Sequence, residues 1–389
     1  MKKSLYIFKS GNLKRKQNTV YFEELINTDN KLDSNNIFDD PINSKFSVFD
    51  QHYANDTIQE QDSFITNEDL DIEEQVINTS KDSKITKRFI PIHSINDIHI
   101  FSEVNINKKF IDFISQYKIP IHFYNYYGYY EGTYYPREFY NSGYVTLKQA
   151  EHYLNNEKRM YLAKAIISGA ILNSIKVLIY YNRRVVDLNQ EIKDIESIFS
   201  KIRDVDEVDK LLGLEGNYKI IYYKSFNKII KNENFFFEKR TKRPPTDFLN
   251  ALISFGNSYL YAVCLSEIYK TNLDPRIGFL HSVTFRRFSL NLDIAEIFRP
   301  ILVDRAIFNL VNKKIININD FNEDVGICYL NEEGKKKFLQ LLEEKLSTTI
   351  KLKKTNRSVS FRNLIRLELF KIQKHLLSDE EYNPFVIEY

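Results

Sequence analysis

Tryptophan is absent from the 389 residues, cysteine occurs twice, and glycine and proline number only 11 and 9. Cys264 and Cys328 lie in separate apolar stretches with no CxxC spacing. That excludes a disulfide framework and a zinc knuckle, and it fits a reducing compartment. No glycine-rich phosphate loop occurs, so an ATP site is excluded. No serine or cysteine stands in a pattern with a base, so nucleophilic acyl chemistry is excluded as well. The opening MKKSLYIFKSGNLKRK has only a short apolar run before charge returns, so no signal peptide is expected. No apolar run approaches the roughly 20 residues a membrane span needs. A cytoplasmic protein without a membrane partner is expected.

What is abundant is aromatic and asparagine-rich. The chain holds 29 Phe and 26 Tyr, and Asn and Ile are plentiful. This reads as the bias of an AT-rich genome rather than as a functional signal. At 43% hydrophobic the chain can bury a sizeable core, and its length suggests about two domains. The net charge of +3 hides an asymmetry. Residues 27–80 carry 13 acidic side chains against Lys31 and Lys45, a balance of −11 that leaves +14 on the remainder. A basic body of that size points to a polyanionic partner, with nucleic acid first, or to a solvated lysine-rich surface.

Residues 3–8 and 19–23 are β-rich runs around a basic turn and predict a hairpin. Residues 27–80 become rich in Asn, Asp and Ser and read as an acidic insertion, partly disordered or weakly helical. Strand signals resume at 88–92 and 97–101, and again at 119–124 and 129–135 around a turn at Gly128. Phe110, Ile111 and Ile114 give 107–117 helical spacing. From Thr146 the pattern is helical, over 147–180, 185–201, 205–231, 246–270, 292–312, 333–346 and 358–376. Pro244-Pro245 breaks the chain before the fourth of these. The expected fold class is α+β. A β-rich domain over 1–140 carries the insertion 27–80, and an all-α domain follows over 147–389.

Three segments of the second domain could carry chemistry. In LLGLEGNYKIIYY, 211–223, Glu215 stands between Gly213 and Gly216 in an otherwise helical stretch. Glycine inside a helix costs about 1 kcal/mol against alanine, so the pair suggests a bulky group approaching the backbone. A carboxylate favoured near a helix start is the plainer reading. In DPRIGFLHS, 274–282, His281 follows an apolar run, as either a core histidine or a metal ligand. In RRFSLNLDIAEIFRPILVDR, 286–305, Asp293 and Glu296 share one helix face. Asp304 returns to nearly the same azimuth at about 100° per residue. Carboxylates in an apolar helix need partners. Arg286, Arg287, Arg299 and Arg305 could supply them, or a metal could. Together the two glutamates and the imidazole suit Mg²⁺ or Mn²⁺, which can polarise a phosphodiester.

These segments resemble the CRISPR-associated integrase family, the first-numbered Cas protein, which inserts new spacers into CRISPR arrays. Glu215 matches the family's Glu in a Gly-Glu-Gly-like helix. His281 matches the His of its Asp-Pro-x-x-Gly-Phe-Leu-His segment. Glu296 matches the acidic residue three after an Asp in Ser-Leu-x-x-Asp-x-x-Glu-x-Phe-Arg-Pro, with Asp293 as the accessory carboxylate. RTKRPPTDFLNALISFGNSYLY, 240–261, is similar to the family's Arg-rich Pro-Pro segment, and the N-terminal runs are similar to its β domain. The likeness spans nearly the whole chain except 27–80, and its style is that of type I-B systems.

The resemblance implies a β domain followed by a helical catalytic domain. It implies a homodimer, with two dimers flanking a dimer of the small second-numbered Cas protein. It also implies transesterification, in which a spacer 3′-hydroxyl attacks the repeat in double-stranded DNA. Glu215, His281 and Glu296 would hold the metal, and Asp293 would support them. Tyr218 would position a phosphate or the attacking hydroxyl. Arg240, Arg243, Arg286 and Arg287 would contact DNA phosphates or form structural ion pairs. The lack of ATP machinery suits transesterification. Two other readings compete: a non-catalytic DNA-binding scaffold, and a structure-specific DNA repair nuclease.

Overall fold

The computed structural model describes residues 2–25, 73–79, 83–137, 140, 142–236, 238–242, 244–283, 288–324, 326–352, 356–378 and 380–388. Arg243, Arg286, Arg287 and most of the acidic stretch 27–80 therefore lie outside the described residues. The chain divides into two compact units, Met1–Arg137 and Glu138–Tyr389.

The first unit contains β1 (Lys3–Ile7), β2 (Gly11–Lys16), β3 (Thr19–Leu25), β4 (Glu73–Thr79) and β5 (Ser83–Pro91). It continues with β6 (Ile95–Ile100), β7 (Val104–Ile106), α1 (Lys108–Gln116), β8 (Ile121–Tyr124) and β9 (Tyr130–Tyr134). One sheet runs β1-β6-β8-β9 and the other β4-β5-β3-β2-β7. Leu5, Ile98 and Ile121 from the first sheet share a core with Leu13, Val20 and Phe22 from the second. Helix α1 adds Phe110, Phe113 and Ile114 to that core, at the i, i+3, i+4 spacing of one helix face. Asn107 starts α1 by accepting from the Phe110 N–H at 2.9 Å.

Two expectations are corrected here. Residues 3–8 and 19–23 do not form a hairpin. β3 pairs antiparallel with β2, and β1 pairs parallel with β6 in the other sheet. The sequence GNLKRK disguised β2 as a turn, because its lysines and arginine face outward and only Leu13 and Gly11 are buried. The true turn is Gln17-Asn18, with Gln17 at φ 53°. Second, the end of the acidic stretch is not loop. Glu73–Thr79 is a strand, because the run after it offers β5 as an antiparallel partner.

The second unit contains α2 (Gly143–Leu154), α3 (Asn156–Asn182), α4 (Asn189–Ser200), α5 (Val208–Lys224), α6 (Phe226–Ile229) and α7 (Phe248–Ile268). Then come α8 (Leu290–Arg299), a π-helical turn (Pro300–Asp304) and α9 (Arg305–Asn312). The chain closes with β10 (Phe321–Asp324), β11 (Ile327–Leu330), α10 (Glu332–Ser347), β12 (Thr349–Lys351), β13 (Ser358–Ser360) and α11 (Phe361–Ser378). The unit is mostly helical but not all-α, since β10–β11 and β12–β13 are antiparallel hairpins. The expected helix over 147–180 is two helices. Asn155 is extended there, and its side chain caps α3 by accepting from the Lys158 N–H.

Asp247 caps α7, accepting from the Asn250 N–H at 2.8 Å, a contact worth about 1 kcal/mol. Helix α7 packs against α8 and α11, and α8 also packs against α3. Contrary to the sequence expectation, α3 and α7 are long and apolar enough to cross a membrane. Their apolar windows are 67% and 89% buried inside the fold, which marks them as core helices. Residues 382–387, outside any helix or strand, pack on this core. Asn173 of α3 donates to the carbonyls of Ile297 and Phe385 and accepts from the Ile387 N–H. The Phe385 ring stacks on Phe298 of α8 at 5.7 Å.

Candidate metal centre

Helix α5 buries Leu211, Glu215, Tyr218 and Tyr222, a stripe at i, i+4, i+7 and i+11. The same periodicity that seats the apolar residues therefore turns Glu215 inward. Gly213 and Gly216 face open space, so among the described residues nothing bulky presses on the backbone beside it. Glu296 projects from α8, and its residue is 4% exposed.

His281 ends a loop that is fastened at several points. Gln149 accepts from the Asp274 N–H and donates to the Asp274 and Ile277 carbonyls. The Gly278 N–H donates to Ser289 Oγ, which in turn donates to the Arg276 carbonyl. Arg159 Nε donates to the Phe279 carbonyl at 3.0 Å. Asp293, in the first turn of α8, gathers the backbone N–H groups of Phe279, Leu280 and His281 at 2.5, 3.0 and 2.9 Å. Its Oδ1 also takes His281 Nδ1 at 2.8 Å. With Nδ1–H donated to Asp293, Nε2 carries the lone pair that can bind a cation. Gly278 makes this possible. A Cβ there would lie 2.7 Å from Asp293 Oδ2 and 2.8 Å from the Ser289 backbone carbon.

Glu215, His281 and Glu296 each offer a donor atom, and these atoms all lie within 4.8 Å of one another. Two carboxylates so close repel by roughly 3 kcal/mol at an intermediate dielectric. Two cations answer that repulsion. Lys219 Nζ lies 2.5 Å from Glu215 Oε1 and 2.9 Å from Glu296 Oε2. Arg299 donates to Glu296 Oε1 at 2.7 Å and to the Tyr261 hydroxyl at 2.7 Å. Burial alone would raise the Glu296 carboxyl pKa, but Arg299 and Lys219 hold it well below the ordinary range. Burial would likewise lower the Lys219 pKa, and Glu296 overrides it upward.

The donor set, two carboxylate oxygens and one imidazole nitrogen, fits a divalent cation. The place between them already attracts positive charge, as the Lys219 ammonium shows. The site also reaches the surface, since the His281 side chain is 19% exposed and that of Glu215 11%.

Several sequence expectations resolve differently. Asp304 does not join Asp293. The π-helical turn changes the rotation per residue, and Asp304 instead accepts from the Tyr222 hydroxyl at 3.0 Å. Burial raises its carboxyl pKa to about 7. Tyr218 is 2% exposed and lies on the buried face of α5 that also carries Glu215. Burial raises its hydroxyl pKa well above the ordinary tyrosine value. Arg240 is half-buried and its guanidinium is engaged internally. It donates to Asn250 Oδ1 at 2.7 Å and Ser254 Oγ at 2.9 Å, fastening 239–241 to α7. Lys242 is exposed and feels Lys219, Arg240 and Arg299, so it adds a cation near the site. Of the arginines weighed as carboxylate partners, Arg286 and Arg287 lie outside the described residues, and Arg299 holds Glu296. Lys219 went unread, although its i+4 spacing from Glu215 was visible.

A second donor cluster, unread in the sequence, sits in the first unit. Asp97, His99 and His122 are fully buried, with donor atoms within 4.8 Å of one another. His99 Nδ1 meets the Tyr124 hydroxyl at 2.8 Å, and Nε2 meets Asp97 Oδ1 at 3.2 Å. Asn96 donates to Asp97 Oδ2, and His122 Nδ1 meets Thr133 Oγ1 at 2.7 Å.

Known proteins share this architecture. The family profile described as "CRISPR associated protein Cas1" matches residues 58–344. A relative named CRISPR-associated endonuclease Cas1 2, from Thermodesulfovibrio yellowstonii, is 47% identical over 386 residues, 99% of each chain. CRISPR-associated endonuclease Cas1 of Thermotoga maritima is 48% identical over 296 residues, 76% of this chain and 91% of its own. The solved structure of TM1797, a Cas1 protein from Thermotoga maritima, superposes with a TM-score of 0.75 at 39% identity, covering 98% of this chain and 99% of that one. A casposase bound to integration product shares the fold, with a TM-score of 0.75 at 20% identity over 99% of this chain and 93% of its own. Fold and relatives define the chain as a nuclease of the integrase–endonuclease class. It belongs to the CRISPR-associated Cas1 family.

Proposed function

We propose that this protein is a metal-dependent DNA integrase and endonuclease of CRISPR adaptation, joining spacer DNA to the repeat by transesterification. The observation that carries the reading is the convergence of Glu215, His281 and Glu296 from three separate segments within 4.8 Å, beside exposed positive charge. When bound, Mg²⁺ or Mn²⁺ would polarise the scissile phosphodiester and neutralise charge developing on it. Glu215 and Glu296 would supply the anionic oxygens and His281 the Nε2 lone pair. Asp293 fixes the imidazole by holding its Nδ1–H and three backbone N–H groups of the loop. Tyr218 would act from beneath, as a positioning residue packed among the ligands.

Lys242, exposed and near the centre, could take a phosphate, and Arg240, Arg243, Arg286 and Arg287 remain proposed DNA contacts. The structural neighbours include a complex named Cas6-RT-Cas1–Cas2 and a casposase bound to integration product. Their names agree with a Cas2-like partner and a DNA substrate for this chain, and the homodimer acting on double-stranded DNA is what the family resemblance implies. The direct test is to incubate the protein with branched DNA and Mn²⁺, alongside Glu215→Ala and His281→Ala. Cleavage or strand joining confined to the wild type supports the reading, and equal activity in the variants removes it.

A further inference from the structure

We infer that Lys219 is a built-in competitor for the metal: its ammonium holds Glu215 and Glu296 together in the metal-free protein, and the incoming cation must displace it. This rests on the metal-centre reading above. Lys219 Nζ touches both glutamates, at 2.5 and 2.9 Å. These two contacts put one positive charge between the carboxylates that a metal would bridge. The placement follows from the sequence, since Lys219 stands four residues after Glu215 on α5 and so projects from the same helix face.

Charge balance favours displacement. Glu215, Glu296 and the Asp293 that holds His281 carry three negative charges, and Lys219 and Arg299 return two positive ones. A divalent cation added beside Lys219 would leave a net positive charge in a largely buried site, whereas its arrival with departure of the ammonium leaves the group neutral. Arg299 cannot leave easily. Its residue is 6% exposed, and its guanidinium is also bonded to Tyr261. Lys219 can leave. Its side chain is 21% exposed and sits on a flexible four-carbon stem. Gly213 and Gly216, on the same helix, leave open space around its N-terminal half. The lysine thus keeps two like charges from repelling each other before metal arrives, at the expense of affinity once it does.

The test is Mn²⁺ binding to the full-length protein, read by the loss of the free-ion EPR signal, for wild type, Lys219→Met and Lys219→Gln. Thermal unfolding is followed with and without Mn²⁺. Removing the competitor is expected to tighten Mn²⁺ binding roughly tenfold or more, a change of about 1.4 kcal/mol. The metal-free variants are expected to melt lower than wild type and to gain more from Mn²⁺. The glutamine variant keeps the measurement available if the methionine variant does not fold. Equal or weaker binding in variants that fold overturns the inference while leaving the metal centre standing. Absence of Mn²⁺ binding in every protein, wild type included, overturns the metal centre itself.

Discussion

Two groups of metal-type donors occur among the described residues, one in each unit, and both gather their atoms within 4.8 Å. They differ in everything else. Asp97, His99 and His122 have one carboxylate for two imidazoles, are sealed from solvent, and are bonded to Tyr124, Asn96 and Thr133. Glu215, His281 and Glu296 have two carboxylates for one imidazole, touch the surface, and need Lys219 and Arg299 to balance them. Proximity of donors is therefore a poor criterion by itself. Surplus negative charge, exposure to solvent and a flexible counter-charge distinguish the Glu215 group from the buried polar network of Asp97, His99 and His122.

The comparison can be broken most sharply by activity. Glu215→Ala and His281→Ala are each expected to lower Mn²⁺-dependent cleavage of branched DNA by at least about 100-fold. His122→Ala is expected to leave cleavage per folded molecule near wild type. A matching loss in His122→Ala would erase the distinction. A smaller effect is expected from Asp293→Asn, which upsets the partner that orients His281. Mn²⁺ affinity should fall about 10–100-fold by calorimetry, and unchanged affinity would show that the loop holds the imidazole without it. Next comes stability. His122→Ala should destabilise the folded protein by about 1–3 kcal/mol in urea unfolding, with no change in the Mn²⁺ stoichiometry. A lost metal equivalent would make the first unit's cluster a second centre.

The last test is of pH dependence and concerns Asp304, which lies near the proposed metal centre but outside it. Its folded pKa of about 7 is above the ordinary aspartate value of about 4. The folded state thus binds this proton more tightly than the unfolded state. The stability that this group contributes is full below pH 4 and is lost as pH climbs to about 7. Asp304→Asn should then gain on wild type in urea unfolding at pH 8 relative to pH 5. A constant difference between the two pH values would show that Asp304 titrates normally.

Much of the helical unit was legible because its signals are local. The Asp-Pro-Arg-Ile-Gly-Phe-Leu-His run and the Asp293–Glu296 spacing both lie within a few residues of the donors, whereas the glycines flanking Glu215 face open space and were a weaker signal. What stayed hidden depends on tertiary meetings. Nothing local says that Asp293 will collect three N–H groups from a loop twelve to fourteen residues earlier. In the first unit, β2 was lost because its side chains are mostly cationic, and strand pairing rather than composition makes it a strand. Asp304 was misplaced because a uniform 100° per residue cannot anticipate a π-helical turn. The internal partners of Arg240 were hidden because a cation in a basic run looks the same whether it faces solvent or Asn250.

The strap formed by residues 382–387 has a bearing on when the centre comes into being. It stacks Phe385 on Phe298, two residues beyond Glu296, and Asn173 grips both the strap and the Ile297 carbonyl. These residues leave the ribosome after every helix they brace. A nascent chain consequently carries α8 without this support, and the proposed metal centre is fully braced once synthesis has passed the strap.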